Sequence, residues 1–259
     1  MEYQFKDVAL LITHYNRSMS LERLLKSFKD LGCFFEEIVV SDDCSNPEHL
    51  EKLKELQKEY QYKLITTPIN IGLGNNINKG QDAVTAKYTL YIQEDFTPQS
   101  QFPGKLSEAL DIMENTDFDF IRFYSYYKYP YMKPYKNGFS EMDFKFWYRG
   151  YRKFWYYSDH PHLRRSNFLQ RFGRYVEGEK VEKTEYMMAI SVLQNKPKAL
   201  FHEADFRGLI LQSNDLETST VPRVEWRYSY KYPPLVFVRA IFRYLKFSFY
   251  YLFIRTNKN

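Results

Sequence analysis

The sequence predicts an α/β fold: a mostly parallel sheet flanked by helices, a second and more aromatic region, and a closing amphipathic helix. Three observations predict it. Short apolar runs alternate with helix-period segments through residues 8–92, the pattern that right-handed βαβ crossovers and parallel sheets produce. The polar clusters of this half each fall at the C-terminal end of an apolar run, where ligands gather in such sheets. Leu235 to Ile254 sets Arg239, Arg243 and Lys246, four and three residues apart, among Leu, Val, Ile, Phe and Tyr, which puts the cations on one helical face.

In chain order, Val8 to Thr13 reads as a strand buried on both faces. Ser20 is placed to cap a helix whose apolar face is Leu21, Leu24, Leu25, Phe28 and Leu31, with Gly32 ending it. Glu37 to Ser41 reads as a second strand, and Asn46-Pro47 opens a helix carrying Leu50, Leu53 and Leu56. Lys63 to Thr66 is a short strand, Gly74 to Asp82 a helix, and Tyr88 to Ile92 a fourth strand. Beyond residue 97, Lys105 to Glu114 has helical period, Phe118 to Tyr124 alternates like a strand, and Thr184 to Leu193 reads as a helix with a Thr cap. Residues 125–160 are dense in rings and cations and carry no clear period.

The 24 Tyr and 22 Phe crowd the region after residue 118, where packing and carbohydrate stacking both use them. A formal charge of +5 is too mild to call for nucleic acid. Cys33 and Cys44 form neither a metal pattern nor a disulfide framework, which points to a reducing, cytoplasmic setting. The first residues lack the basic and apolar regions of a secretory signal, and no stretch of about 18 uninterrupted apolar residues spans a bilayer. The C-terminal segment instead suits peripheral contact through residues 235–254 with the inner face of a membrane, or packing on protein.

Four clusters carry chemistry. Thr13-His14-Tyr15-Asn16-Arg17 ends the first strand and Asp42-Asp43-Cys44-Ser45 the second; carboxylates there can take hydrogen bonds from a ribose or base, and a polar turn would look alike. Asn70 to Gly80 holds Gly72, Gly74 and Gly80, which admit close backbone approach to a ligand before a helix N-terminus. It matches neither the Walker nor the dinucleotide pattern. Gln93-Glu94-Asp95-Phe96 follows the fourth strand, and adjacent acids there can hold Mg²⁺ or Mn²⁺, as can a solvated acidic turn stand without one. His160-Pro161-His162 with Arg164-Arg165 reads as a loop framing an acceptor or a diphosphate, its arginines available to anions. His202-Glu203 reads as a polar strand end or a further metal ligand.

In type, order and spacing, these four clusters resemble glycosyltransferase family 2 over roughly residues 6–96. The resemblance implies a GT-A (Rossmann-like) fold, with residues 1–100 binding the nucleotide sugar, 101–232 binding an acceptor and 233–259 forming the basic aromatic helix. It implies that Thr13, Tyr15 and Asp43 lie by the nucleobase and ribose, with Asn16, Arg17, Asp42, Asn70, Gly72, Asn78 and Glu94 around the donor. Asp95 would ligate the metal that bridges the donor diphosphate. Two positions depart from the family pattern: Gln93 stands where an Asp is common, and Ile77 where a basic residue is common. The family's general base is commonly an acid at the start of a helix in the acceptor half. Glu185, expected in the first turn after Thr184, is that candidate and Glu177 the other.

The implied activity is inverting transfer of a sugar, a UDP-sugar being the expected donor, to a glycan or lipid-linked acceptor in cell-surface polysaccharide synthesis. The alternative is a non-catalytic carbohydrate-binding protein of GT-A fold. A sugar nucleotidyltransferase is disfavoured, because no Gly-rich loop bearing Lys or Arg follows the first strand.

Overall fold

Strand and helix do alternate along the N-terminal half. In the computed structural model, which describes residues 2–203, 206–218 and 233–255, the first strand β1 (Tyr3–His14) lies between parallel neighbours β2 (Cys33–Asp42) and β4 (Tyr88–Gln93). The short β3 (Lys63–Ile65) extends this parallel set at its outer edge. Val8 to Ile12 are wholly buried, as a strand covered on both faces requires.

The crossovers are α1 (Ser18–Asp30), α2 (Pro47–Tyr60) and α3 (Leu73–Asp82). The α2 helix opens with Pro47 at its first position, where a missing N–H costs nothing. The α1 helix begins two residues ahead of Ser20, which is therefore a buried residue of the first turn and not the cap.

After β5 (Phe96–Pro98) and α4 (Phe102–Asn115), the chain forms β6 (Phe120–Arg122), β7 (Met132–Pro134), β8 (Phe139–Met142), a 3₁₀ turn η1 (Tyr151–Phe154), β9 (His162–Arg165), α5 (Phe168–Phe172), α6 (Val181–Gln194), β10 (Ala199–His202), β11 (Ile210–Gln212) and α7 (Pro233–Phe253). The main sheet runs β3-β2-β1-β4-β9-β6-β10-β8-β7, and β11 pairs with β5 as a separate ribbon. Strand β9 enters antiparallel between β4 and β6, so β4, β6 and β10 still point the same way.

Two expectations fail here. The strand after residue 118 is three residues long and buried on both faces instead of alternating. Thr184 is not a cap: α6 starts at Val181, and the Thr184 hydroxyl, buried inside the helix, donates to the Val176 carbonyl at 3.0 Å.

Each face of the sheet has its own core. One gathers Leu10, Ile12, Leu24, Phe28, Leu106 and Phe123; the other gathers Leu11, Tyr91, Phe120, Tyr157, Phe168 and Ile190. The period-free stretch 125–160 belongs mainly to the second, where rings meet edge to face, as Phe120 does with Tyr156, Tyr157 and Phe168. No helix among the described residues is long and apolar enough to cross a membrane. The junction expected at residue 232 lies outside the described residues.

Candidate active site

The parallel register brings the first, second and fourth strand ends together: Thr13 lies opposite Ser41 and Gln93, and His14 opposite Asp42. Asp42 is wholly buried. It accepts from His14 Nδ1 at 2.7 Å, from the Ser45 hydroxyl and from the Ser45 amide at 2.9 Å. Although burial pushes its carboxyl upward, these donors prevail and hold it below the usual carboxylate range.

Asp43 clamps the next cluster in place. Its two oxygens accept from the amides of Ile71 at 3.0 Å and Gly72 at 2.8 Å. Asn16 adopts a left-handed backbone, φ 52°, and its side chain accepts from the Asn46 amide at 2.7 Å. Tyr15 is half-buried beside it and Asn70 is exposed. Thr13 points inward, its hydroxyl 3.1 Å from the Tyr91 hydroxyl.

Gly74 and Gly80 of the third cluster serve packing. A Cβ at Gly74 would sit 2.3 Å from the Val176 carbonyl oxygen, and one at Gly80 would sit 2.7 Å from Leu11 Cδ1. They let α3 lie close against the sheet and the loop before α6, where the sequence suggested room for a ligand. Ile77 is core, and the cation of this helix, Lys79, turns instead to the Asp42 carbonyl. Asn78 is buried and binds the loop on both sides: its amide donates to the Tyr175 carbonyl and to Glu177 Oε1, and its oxygen accepts from the Tyr175 amide.

The acidic pair is the electrostatic centre. Glu94 and Asp95 are 8% and 5% exposed, so both carboxylates are out of water. Burial, then the neighbouring Asp95 charge, push Glu94 from its ordinary 4.5 to about 8, against the pull of Arg17. Arg17 Nη1 lies 3.2 Å from Asp95 Oδ2 and 3.5 Å from Glu94 Oε1. Asp95 Oδ1 is buried with no hydrogen-bond partner among the described residues. An orphaned carboxylate oxygen beside a second acid suits a hard divalent cation, which takes one or two carboxylates and completes its shell with phosphate and water. No group of three or more His, Cys, Asp or Glu side chains converges among the described residues, so the phosphates would have to supply the rest.

A segment with no sequence signal covers this pair. After β11, Gln212 donates to Asp95 Oδ2 at 2.8 Å and the Ser213 amide to the Asp95 carbonyl at 2.9 Å. Asn214 and the Glu217 carbonyl accept from Arg17 Nη2 at 2.7 and 3.1 Å. The Glu217 carboxylate accepts from the Met19 and Ser20 amides and the Ser20 hydroxyl, so it caps α1 from the far end of the chain.

Other expectations are corrected. His160 and His162 do not form an open loop framing a ligand: His162 is buried as the first residue of β9 and His160 is half-buried beside it. Burial keeps both neutral, His160 falling to about 3, and each donates or accepts within the protein. Arg164 is wholly buried against Gln81 and Tyr157, and Arg165 binds the carbonyls of Met113, Thr116 and Phe118, so neither is available to anions. His202 meets Phe139 edge to face, while Glu203 pairs with Lys128 and Ser140. Glu185 is half-buried in the second turn of α6; the first-turn acid is Glu182, so the dipole expected to favour Glu185 acts mainly on its neighbour. Asp159 was not foreseen. It is buried, accepts from Tyr175 at 2.7 Å, has an unpartnered Oδ2, and is raised by burial to about 6.

A parallel sheet whose central strand delivers paired acids, flanked by an Asp-Asp turn and a clamped glycine loop, defines an α/β chain of GT-A type. The model of the family "Glycosyl transferase family 2" matches residues 9–174, more than half of the sequence, and the chain belongs to that family. Among curated relatives, a poly-beta-1,6-N-acetyl-D-glucosamine synthase of Staphylococcus epidermidis is 25% identical over 105 residues, 40% of this chain and 26% of the synthase. The S. aureus TarS 1–349 structure in complex with UDP-GlcNAc superposes with TM-score 0.59 at 14% identity, covering 88% of this chain and 62% of TarS 1–349. The mannosyltransferase PcManGT from Pyrobaculum calidifontis, in complex with GDP-Man and Mn2+, gives 0.53 at 12% identity, covering 93% and 63%. At these identities the structures share the fold, and the chain spans less than two thirds of their length.

Proposed function

We propose that the chain transfers a sugar from a nucleotide-sugar donor, a UDP-sugar in the first instance, to a hydroxyl of a glycan or lipid-linked acceptor, with inversion, in cell-surface polysaccharide synthesis. The observation that carries this is the buried Glu94–Asp95 pair at the end of β4, with Asp95 Oδ1 unpartnered. Residues 1–100 bind the donor, 101–232 the acceptor, and 233–259 form the terminal helix, at the cytoplasmic face of a membrane.

Asp95 would hold Mg²⁺ or Mn²⁺, with Glu94 beside it. When bound, the cation neutralises charge on the departing diphosphate. Asp42, Asp43, Asn70, Gly72 and Asn78 shape the pocket for base and ribose together with Thr13, Tyr15 and Asn16. Asp43 does so by fixing the Ile71–Gly72 backbone. Arg17 turns from Asn214 and Glu217 toward the phosphates. Glu185 takes the acceptor proton as the hydroxyl attacks the anomeric carbon in line, a single displacement that inverts configuration. One observation favours a second base: Glu177 is held by the side-chain amides of Asn75 and Asn78, both at 2.8 Å, so its carboxylate is fixed before an acceptor arrives.

Thermal melts with UDP, GDP, dTDP and CMP, each with and without Mn²⁺, test the donor site, because a ligand of the native state raises the Tm by mass action. One nucleotide is expected to give a metal-dependent shift that Asp95→Ala abolishes. No shift with any of the four would overturn the donor assignment. Product NMR reads the stereochemistry, and retained configuration would defeat the single displacement.

A further inference from the structure

Helix α7 is amphipathic in the reverse of the usual sense. Phe247 is buried and packs on Phe154, Trp155 and Tyr186, with ring centroids 5.8, 5.7 and 5.6 Å away. Tyr251 stacks on Phe146, and Gln194 of α6 donates to the carbonyls of Tyr250, Tyr251 and Ile254 at the helix end. This inner face fixes the helix on η1 and α6.

Every exposed position of α7 among the described residues 236–253 is apolar. Phe237, Ile241, Phe242, Leu245, Leu252 and Phe253 are among them, Phe237 67% and Phe253 69% exposed. At 3.6 residues per turn this stripe covers roughly 160° of the circumference. Arg239, Arg243 and Lys246 follow along one long edge of it, between the stripe and the packed face. Lys246 Nζ lies 4.1 Å from the centroid of the Tyr186 ring, and the Arg243 guanidinium lies 5.4 Å from that of Tyr151. A monomer in water seldom presents so continuous an apolar face.

The charge decides what covers it. Residues 233–259 carry Arg239, Arg243, Lys246, Arg255 and Lys258 and no acid. The rest of the chain has as many acids as bases, so this segment holds the whole excess of +5. A second copy seated on the stripe would bring the same cations against these. An anionic lipid surface takes both features, acyl chains against the stripe and headgroups against the cations beside it.

We propose that α7 lies in the plane of an anionic lipid surface, its Phe237–Phe253 stripe sunk to the acyl boundary and Arg239, Arg243 and Lys246 at the headgroups. Neither nucleotide sugar nor transfer enters this inference, so it stands or falls apart from the catalytic proposal. The test is flotation of the full chain with vesicles of phosphatidylglycerol and phosphatidylcholine, against phosphatidylcholine alone. Binding to the anionic vesicles is expected, weaker by at least about tenfold on the neutral ones, since each cation near an anionic surface is worth about fivefold. F242E/L245E changes only exposed side chains, so it is expected to keep the wild-type Tm and lose flotation. Wild type that fails to float on anionic vesicles, or a double variant that floats undiminished, overturns the proposal. Sedimentation equilibrium covers the rival occupant: a dimer that F242E/L245E dissociates, with no flotation, assigns the stripe to a second copy.

Discussion

At the scale of single residues, the site is a set of carboxylates kept apart by their surroundings. Asp43 is spent on two backbone amides and Asp42 on His14 and Ser45, whereas Asp95 keeps one buried oxygen, Oδ1, with no partner among the described residues. Asp95→Ala is therefore expected to lower turnover by at least about a hundredfold, the loss usual for one electrostatic contact to developing charge, and to leave the far-UV spectrum unchanged. Near-normal turnover would remove Asp95 from its role.

Asp159 predicts a pH dependence. Its carboxyl is raised from the ordinary 3.8 to about 6 by burial, so the folded chain holds a proton there that the unfolded chain has released. Its contribution to stability is complete below about 3.8 and drains away as pH rises through about 6. Subtracting the urea-unfolding profile of Asp159→Asn from that of wild type isolates this term. The difference should fall between those two pH values, and a rising difference would reverse the assignment. The position of the Thr13–Arg17, Asp42–Ser45 and Glu94–Asp95 clusters at strand ends was legible because each follows an apolar run. Arg164 and His162 misled because a buried cation or imidazole has the same letter as a free one, and only its partners, Gln81 and Tyr157, tell them apart.

At the scale of elements, the first four strands and three helices could be placed in order, since each βα unit buries a face whose period is local, but β1 and β2 begin at Tyr3 and Cys33, several residues before the apolar runs at Val8 and Glu37. β11 could not. Three residues have no period, and its partner β5 lies more than a hundred residues earlier. Yet this ribbon and the turn after it close the acidic pair and cap α1. Glu217→Ala is expected to cost about 1 kcal/mol, the usual worth of a helix cap, and to speed hydrogen exchange at the Ser213 amide, which now donates to the Asp95 carbonyl. Exchange unchanged at Ser213 would mean that the ribbon holds without Glu217. The close seat of α3 gives a second test. Gly74→Ala drives a methyl into the Val176 carbonyl, and overpacking of this kind costs about 1–3 kcal/mol. A midpoint unchanged in urea would show that the loop yields freely.

At the scale of the whole molecule, the two halves differ in how their order is written. The N-terminal half is set out by repeating strand and helix, which a linear reading recovers. The other half is a web of rings and buried cations. Lys153 is wholly buried, with Phe146, Phe154 and Tyr244 around its ammonium group. Such contacts follow neither a helix nor a strand period, so the stretch 125–160 shows no local pattern although its rings are packed into a core. The same web ties in α7. Removing residues 233–259 would uncover Phe154, Trp155 and Tyr186, so that truncation is expected to lower the Tm and raise dye binding to exposed rings. A truncated chain melting like wild type would show that α7 adds nothing to the fold.

The cover over the acids also sets an order in time. Domains begin folding from the N-terminus while synthesis continues, and β1 to β4 can assemble once about the first hundred residues have emerged. Gln212, Asn214 and Glu217 come more than a hundred residues later. Until they arrive, a nascent chain carries Arg17 and the two acids without the segment that covers them. Residues 212–217 then close over them, so the acidic pair is first exposed and later sheltered by residues made more than a hundred positions after it.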